Sequence, residues 1–407
     1  MKIERARLAR CFLALGMLAA LTGCGDDKPT VTIIVPWSGD EFQAFKKITD
    51  AFPGDAVVDV QSTRALGQHL DSAVEGGNPP DLAVLPNPGA IRSYADTKDG
   101  KGLQEIASET PFLEPFAGLT TVAKVKNPGV YAVPIKVDVK SLTWYALKGP
   151  RPLTGRWCLG LESGATTGWP GADWIADILL RTKDTETYEK WATGHSEWPS
   201  QQDAWAEWRG LVQDSDHSAL VTNFRGATTG MAEKNSGCQQ AHGALAAMGF
   251  QEKLKNYTFE APKPNVPLQV SADYVGMFNT RKPTTELIKY LTKESTQRKW
   301  VNDEKSSAFS AVKTVTPGKY PPGVKREIAK LLAPNARRLC FSAADMMKPD
   351  LASAFYRAVV DYYAKDPVSR EAQETLERDL ASLSVIQSTI HDREPPRKIC
   401  TTPRRSS

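Results

Sequence analysis

Apolar and polar positions along this chain switch between a strand-like and a helix-like period, and the switches outline its elements. Val31-Thr32-Ile33-Ile34-Val35 is a β-branched apolar run that predicts a buried strand. Phe42, Phe45, Ile48 and Phe52 then recur at roughly helical spacing. Ser38 and Glu41 have the spacing of a capping box, so the helix is expected to begin there. A second β-rich run, Ala56-Val57-Val58-Asp59-Val60, follows. Leu66, Leu70 and Val74 predict another helix, stopped at Gly76-Gly77. Asp81-Leu82-Ala83-Val84-Leu85 predicts a third strand, closed by Pro86-Asn87-Pro88-Gly89. A βαβαβ order implies a parallel sheet with helices on its faces.

The pattern changes between residues 128 and 147. Val130–Pro134 and Ser141–Tyr145 read as extended strands around a polar turn, and a first crossover between two lobes is expected here. A second α/β region begins at Trp157-Cys158-Leu159, with helices starting near Pro170 and near Asp203. Leu268–Phe278 predicts a return strand, and Pro283–Val301 a long amphipathic helix. Further helices are expected near 323–332, 350–364 and 368–384.

The N-terminus changes what this pattern describes. Lys2, Arg5, Arg7 and Arg10 precede an apolar run from Cys11 to Leu21, the layout of a secretory signal peptide. The run is shorter than the roughly 20 apolar residues a membrane span needs. It ends in Leu21-Thr22-Gly23-Cys24, which resembles a bacterial lipobox. Residues 1–23 are therefore expected to be removed, Cys24 to carry lipid, and 24–30 to form a tether that holds the chain to the outer face of the cell membrane. The leader holds three of the four net positive charges, so the rest is nearly neutral and no nucleic-acid partner is implied. Cys158, Cys238, Cys340 and Cys400 remain, an even number in an exported chain. They allow three connectivities, of which Cys158–Cys238 with Cys340–Cys400 is favoured. They are far apart and show no CxxC or HxxxH pattern, so no metal is expected.

Several stretches in order resemble the family of extracellular solute-binding proteins that includes maltose-binding protein. They are Gly77–Pro86, Lys140–Tyr145, Gly168–Trp174, Gln297-Arg298-Lys299-Trp300 and Phe341–Tyr363. The chain departs from the family at Ser271-Ala272-Asp273 and at Ala344-Asp345-Met346-Met347-Lys348, where Gly-Gly-Asp and Ser-Asp-x-Met-Pro are usual. The resemblance implies an α/β, two-lobed periplasmic-binding-protein fold of type II, with a ligand cleft between lobes joined by extended crossovers. Residues 31–142 with about 275–320 would form the first lobe, and 143–274 with about 321–407 the second. It implies a monomeric substrate-binding component of an ABC importer that captures a sugar or oligosaccharide by hinge closure and delivers it to permease subunits. No cofactor is implied.

Sugars offer apolar faces and hydroxyl edges, which suit aromatic rings and polar side chains respectively. Trp37 and Asp40 lie between a strand end and a helix start, where open α/β sheets place ligands. Arg64 and Asn87 follow the second and third strands, and Trp169 and Asp173 open a helix of the second lobe. Asp273 and Tyr274 lie on the second crossover, and Tyr356 matches a family aromatic that stacks on sugar, with Phe355 as the alternative. Glu41 is assigned to capping, and Trp174, Trp205 and Trp208 to core. Five scattered histidines, with no G-x-S-x-G, H-E-x-x-H or P-loop motif, argue against an enzyme. A lipoprotein that serves a sensor, or a secreted hydrolase with a carboxylate pair, are the alternatives.

Overall fold

The computed structural model describes residues 28–95, 101–122, 129–147, 156–215, 217–233, 236–390 and 398–401. Cys24, the leader and the tail after Thr401 lie outside them. The strands are β1 (Thr30–Val35), β2 (Val57–Ser62), β3 (Leu82–Leu85), β4 (Thr121–Val122), β5 (Gly129–Val130), β6 (Ala132–Val139), β7 (Thr143–Ala146), β8 (Gln240–His242), β9 (Tyr257–Glu260), β10 (Leu268–Met277) and β11 (Leu339–Phe341). β1 pairs in parallel with β2 on one edge and β3 on the other, as the βαβαβ order requires. β3 is buried at all four positions because helices and sheet cover both its faces. The first helix, Gly39–Asp50, turns Ala44, Phe45 and Ile48 inward, and the second, Leu66–Glu75, turns Leu66, Leu70 and Val74 inward.

One long strand joins the two halves of the molecule. β10 runs antiparallel to β3 over Tyr274–Met277 and parallel to β11 over Leu268–Val270. Its other edge pairs antiparallel with β6 from Val270 to Gly276, with a register shift between Asp273 and Tyr274. β6 and β10 are thus extended crossovers lying side by side. Beyond them a three-stranded sheet, β8-β7-β9, belongs to the second half.

The second half is built on aromatics. Trp191, Trp198, Trp205 and Trp208 are all fully buried. Phe355 lies 4.9 Å from Trp198 and 5.4 Å from Trp205, so it is a hub of this core. The helix Trp169–Thr182 packs close to the helix Pro349–Tyr363 because residues 168 and 171 are glycines. A Cβ on Gly168, where φ is +104°, would stand 2.1 Å from the Tyr356 carbonyl oxygen. Disulfides close Cys158 to Cys238 and Cys340 to Cys400, the favoured pairing. The second joins β11 to the chain end through a bridge between those same residues.

Four expectations need correction. The stretch between Pro134 and Ser141, expected as a polar turn, is mostly buried strand: β6 runs from Ala132 to Val139, and its charged side chains are paired rather than solvated. The stretch expected as one helix is two, Lys282–Leu291 and Glu294–Val301, because the backbone leaves the helical region at Lys293, which is extended (φ −68°, ψ 135°) and starts the second helix. The last helix runs on to Ile390, past the expected end at 384. The capping box does not form: Ser38 makes no side-chain cap, and Glu41 turns inward to Ser307 instead.

Candidate functional site

The site grows from β6. Its end and the next residue, Ile135-Lys136-Val137-Asp138-Val139-Lys140, alternate apolar and charged residues within a stretch that is almost wholly buried. Period two sends Lys136, Asp138 and Lys140 to one face. Each lysine takes two carboxylates. Lys136 lies 2.8 Å from Asp138 and 3.5 Å from Asp273, its cross-strand partner on β10. Lys140 lies 2.9 Å from Asp173 and 2.8 Å from Asp345. Burial alone lowers both ammonium groups, but the paired carboxylates outweigh it and hold them above the ordinary lysine value. Burial pushes Asp273 up to about 6, with Lys136 opposing and Asp138 adding to the rise. Asp173 rises to about 6 for the same first reason, opposed by Lys140 and reinforced by Asp345.

The two clusters anchor different parts of the molecule. Asp273 accepts the Trp37 indole N–H at 3.0 Å, which ties the loop after β1 to the crossover. Trp37 packs edge-on against Phe45 and Trp300, and Lys136 stands 5.8 Å from its ring centre. Asp173, by contrast, accepts from Ser342 at 3.1 Å, beside β11. Glu41 sits under the first cluster, where its Oε2 accepts from the Ser307 backbone N–H at 2.8 Å and from its hydroxyl. Its Oε1 and Asp138 Oδ1 are buried without a hydrogen-bond partner. Lys325 donates to the Val301 and Ser306 carbonyls, which fixes the turn that presents Ser307. Burial lowers Lys325 to about 8.

A column from the second half faces this cluster. Trp169 meets Phe224 edge-on at 5.1 Å, and the Arg225 guanidinium stands 5.7 Å from the Phe224 ring. The turn is held firmly. Asn223 donates to Glu162 at 2.9 Å and accepts the Arg225 N–H at 3.1 Å. Burial lowers Arg225, and the nearby carboxylates of Glu41, Asp138 and Asp40 oppose that fall. Arg64 is exposed after β2, and its charge reaches both Glu162 and Arg225.

The expected site residues therefore divide. Trp37 and Asp273 are in direct contact, Asp173 lies in the Lys140 cluster, Trp169 packs on Phe224 beside Arg225, and Arg64 acts on Glu162 and Arg225 through its charge alone. Asp40 pairs with Lys305 at 3.3 Å. Asn87 Oδ1 accepts the Ala90 N–H at 2.8 Å and so caps the next helix. Tyr274 is fully buried, tilted against Phe341, and its hydroxyl has no partner. Tyr356 is partly buried, and burial with the fields of Asp345 and Asp173 raises its phenol well above the ordinary value. Lys136, Asp138, Lys140, Glu162, Phe224 and Arg225 were not anticipated. Charges at period two inside an otherwise apolar strand could have found the first three. Nothing local marks the others.

Among the described residues no group of three or more His, Cys, Asp or Glu is placed to hold a metal ion. Ser141, Asp177 and His242 touch, but Asp177 stands between the other two, so the histidine cannot take the serine proton.

No family model matches the chain. It is 28% identical over 394 residues to the alpha-glucosides-binding periplasmic protein AglE of Rhizobium meliloti, covering 82% of this chain and 83% of that protein. It is 25% identical over 407 residues to the osmoprotective compounds-binding protein GgtB of a Synechocystis strain, covering 88% and 94% respectively. In structure it resembles the bacterial solute receptor AcbH, which prefers β-D-galactopyranose, with a TM-score of 0.70, 14% identity and coverage of 89% and 99%. It also resembles an ABC transporter solute-binding protein from Thermotoga lettingae bound to α-D-tagatose, with a TM-score of 0.66, 15% identity and coverage of 88% and 100%. The fold is the two-lobed one of these receptors.

Proposed function

We propose that this homologue of bacterial solute-binding proteins is the capture component of an ABC importer and that its ligand is a sugar. The observation that carries the reading is the meeting of two unlike surfaces. Trp37, Asp273 and Lys136 stand on one side, and Trp169, Phe224 and Arg225 on the other. Rings beside clustered donors and acceptors suit a molecule with apolar faces and hydroxyl edges. The relatives that bind alpha-glucosides and osmoprotective compounds support the same reading.

In this reading β6 and β10 are the hinge. Lys136 holds it to the first lobe and Lys140 to the second, so the bend falls between residues 136 and 140 and near 271–273. The helix Val324–Leu332 stays with the first lobe, because Lys325 binds the 301–306 turn. The change back to the second lobe then comes after it rather than near 320. Ligand favours closure because only the closed form lets both lobes touch it. Cys24 carries the lipid that keeps the monomer at the membrane beside its permease.

The test is a thermal-unfolding screen against mono- and oligosaccharides, amino acids and polyamines. A ligand at 100 times its dissociation constant stabilises by about 2.7 kcal/mol. A shift with sugars alone supports the reading, and a shift only with other classes overturns it. Mass spectrometry of the N-terminal peptide checks the anchor: an unmodified Cys24 in the exported chain rejects it.

A further inference from the structure

We propose that Arg92 is a positioning residue for capture: its bond to the Met346 carbonyl latches the two lobes together on the cleft side of the hinge and so favours the closed form. This rests on the hinge reading above and adds a residue that sets the balance between open and closed.

β3 and β11 pair with the same edge of β10, end to end, while β6 takes the other edge. Tyr274 faces Leu85, the last residue of β3, and Val270 faces Phe341, the last residue of β11. Only Ser271, Ala272 and Asp273 separate the two strand ends, and the hinge bend falls there. The chain segments that leave these ends therefore meet across the bend. One is the helix Pro88–Ala95 of the first lobe, and the other is the stretch from Ser342 to Met347, which goes with the second.

The second-lobe side of this joint is firmly held. The Tyr188 hydroxyl donates to the Phe341 carbonyl and accepts the Ala343 N–H, each at 3.0 Å. The Ser342 hydroxyl donates to Asp173 at 3.1 Å, and Asp345 pairs with Lys140 at 2.8 Å. The next two carbonyls, of Met346 and Met347, move with those anchors. From the first lobe, Arg92 donates to the Met346 carbonyl. Gly89 comes so near that a Cβ on it would stand 2.1 Å from the Met347 carbonyl oxygen. Their helix starts beyond the carboxyl end of β3, the end at which Trp37 follows the parallel strand β1. The contact thus lies on the cleft side of the sheet. Opening the bend on that side draws the carbonyl away from the guanidinium, and closing it restores the bond. A contact made in one form alone shifts the balance toward that form by its own free energy.

The experiment compares the purified parent with R92Q and R92K in two ways. Small-angle X-ray scattering of the ligand-free proteins reads how open they are, and calorimetric titration with maltose, trehalose and melibiose reads affinity. Thermal melts establish that each variant is folded. R92Q is expected to show a larger radius of gyration without ligand and to bind the same sugar about 10-fold more weakly, the effect of one hydrogen bond from a charged donor. R92K keeps a charged donor and is expected to recover part of both effects. An unchanged radius in folded R92Q overturns the latch, even if affinity falls, because a merely structural role would lower affinity without opening the molecule. A larger radius with unchanged affinity overturns its part in capture. If the parent binds none of these sugars, sugar capture is what fails for them, and the scattering of the ligand-free proteins still decides the latch.

Discussion

The indole N–H of Trp37 donates to Asp273 at 3.0 Å across 236 residues of sequence. It joins the loop after the first strand to the crossover that returns from the second lobe. A residue expected to face the ligand is thus first of all an anchor of β10, and its ring lies beside the charged cluster that the crossover carries.

Replacing that indole should register as lost stability. Trp37→Phe keeps an aromatic against Phe45 and Trp300 and removes the donor to a buried carboxylate. A loss of about 1–3 kcal/mol is expected from urea unfolding. An unchanged midpoint with an unchanged slope would mean that the bond contributes nothing net.

Acid should act on the two clusters in a defined direction. Asp273 and Asp173 are both raised to about 6, first by burial. An unfolded aspartate titrates near 3.9. Between about pH 4 and pH 6 the folded chain therefore holds protons that the unfolded chain has released. Their contribution to unfolding free energy rises as pH falls from 7 toward 4 and is lost as pH rises through 6. The variant D173N/D273N should lack this component. Denaturation at pH 7 and pH 5 decides it, and parallel behaviour of variant and parent would reject it.

The disulfides close loops of 80 and 60 residues. In the chain-entropy model each contributes about 4 kcal/mol by restricting the unfolded chain. C158A/C238A and C340A/C400A should each lower the melting temperature by several degrees. Reduction of the parent should reproduce the sum of the two shifts, and a melt insensitive to reductant would show that the bridges are thermodynamically idle.

Gly89 brings the third-strand helix against the segment after β11. A Cβ at that position would lie 2.1 Å from the Met347 carbonyl oxygen. Gly89→Ala should therefore cost about 1–3 kcal/mol through overpacking. The same change at Gly67, whose Cβ meets nothing within 4 Å, should be neutral or mildly stabilising because it lies in a helix. Equal effects at the two positions would contradict the close approach.

Much of the local structure is written in short-range pattern. The run Val31–Val35 and the spacing of Leu66, Leu70 and Val74 need only their own period to be recognised, and both elements lie where that period puts them. Glu41 shows where pattern misleads. Its capping-box spacing is genuine, but Ser307 lies 266 residues away and offers two donors in a buried setting. Long-range burial outweighs a surface cap because an unpaired buried serine would cost more than the cap is worth.

By itself, then, the sequence determined the strands and helices of the parallel opening unit, the long return strand and a cysteine set compatible with the pairing found, since these depend on neighbours within a few residues or on simple counts. Only the tertiary structure decided which charged groups meet. Lys136 and Asp273, and Lys140 and Asp345, come from distant parts of the chain. Their partnership is set by how β6 and β10 run side by side and by how the two lobes fold over them. Charge pairing in a buried cluster depends on distance and desolvation, and neither is carried by residue spacing.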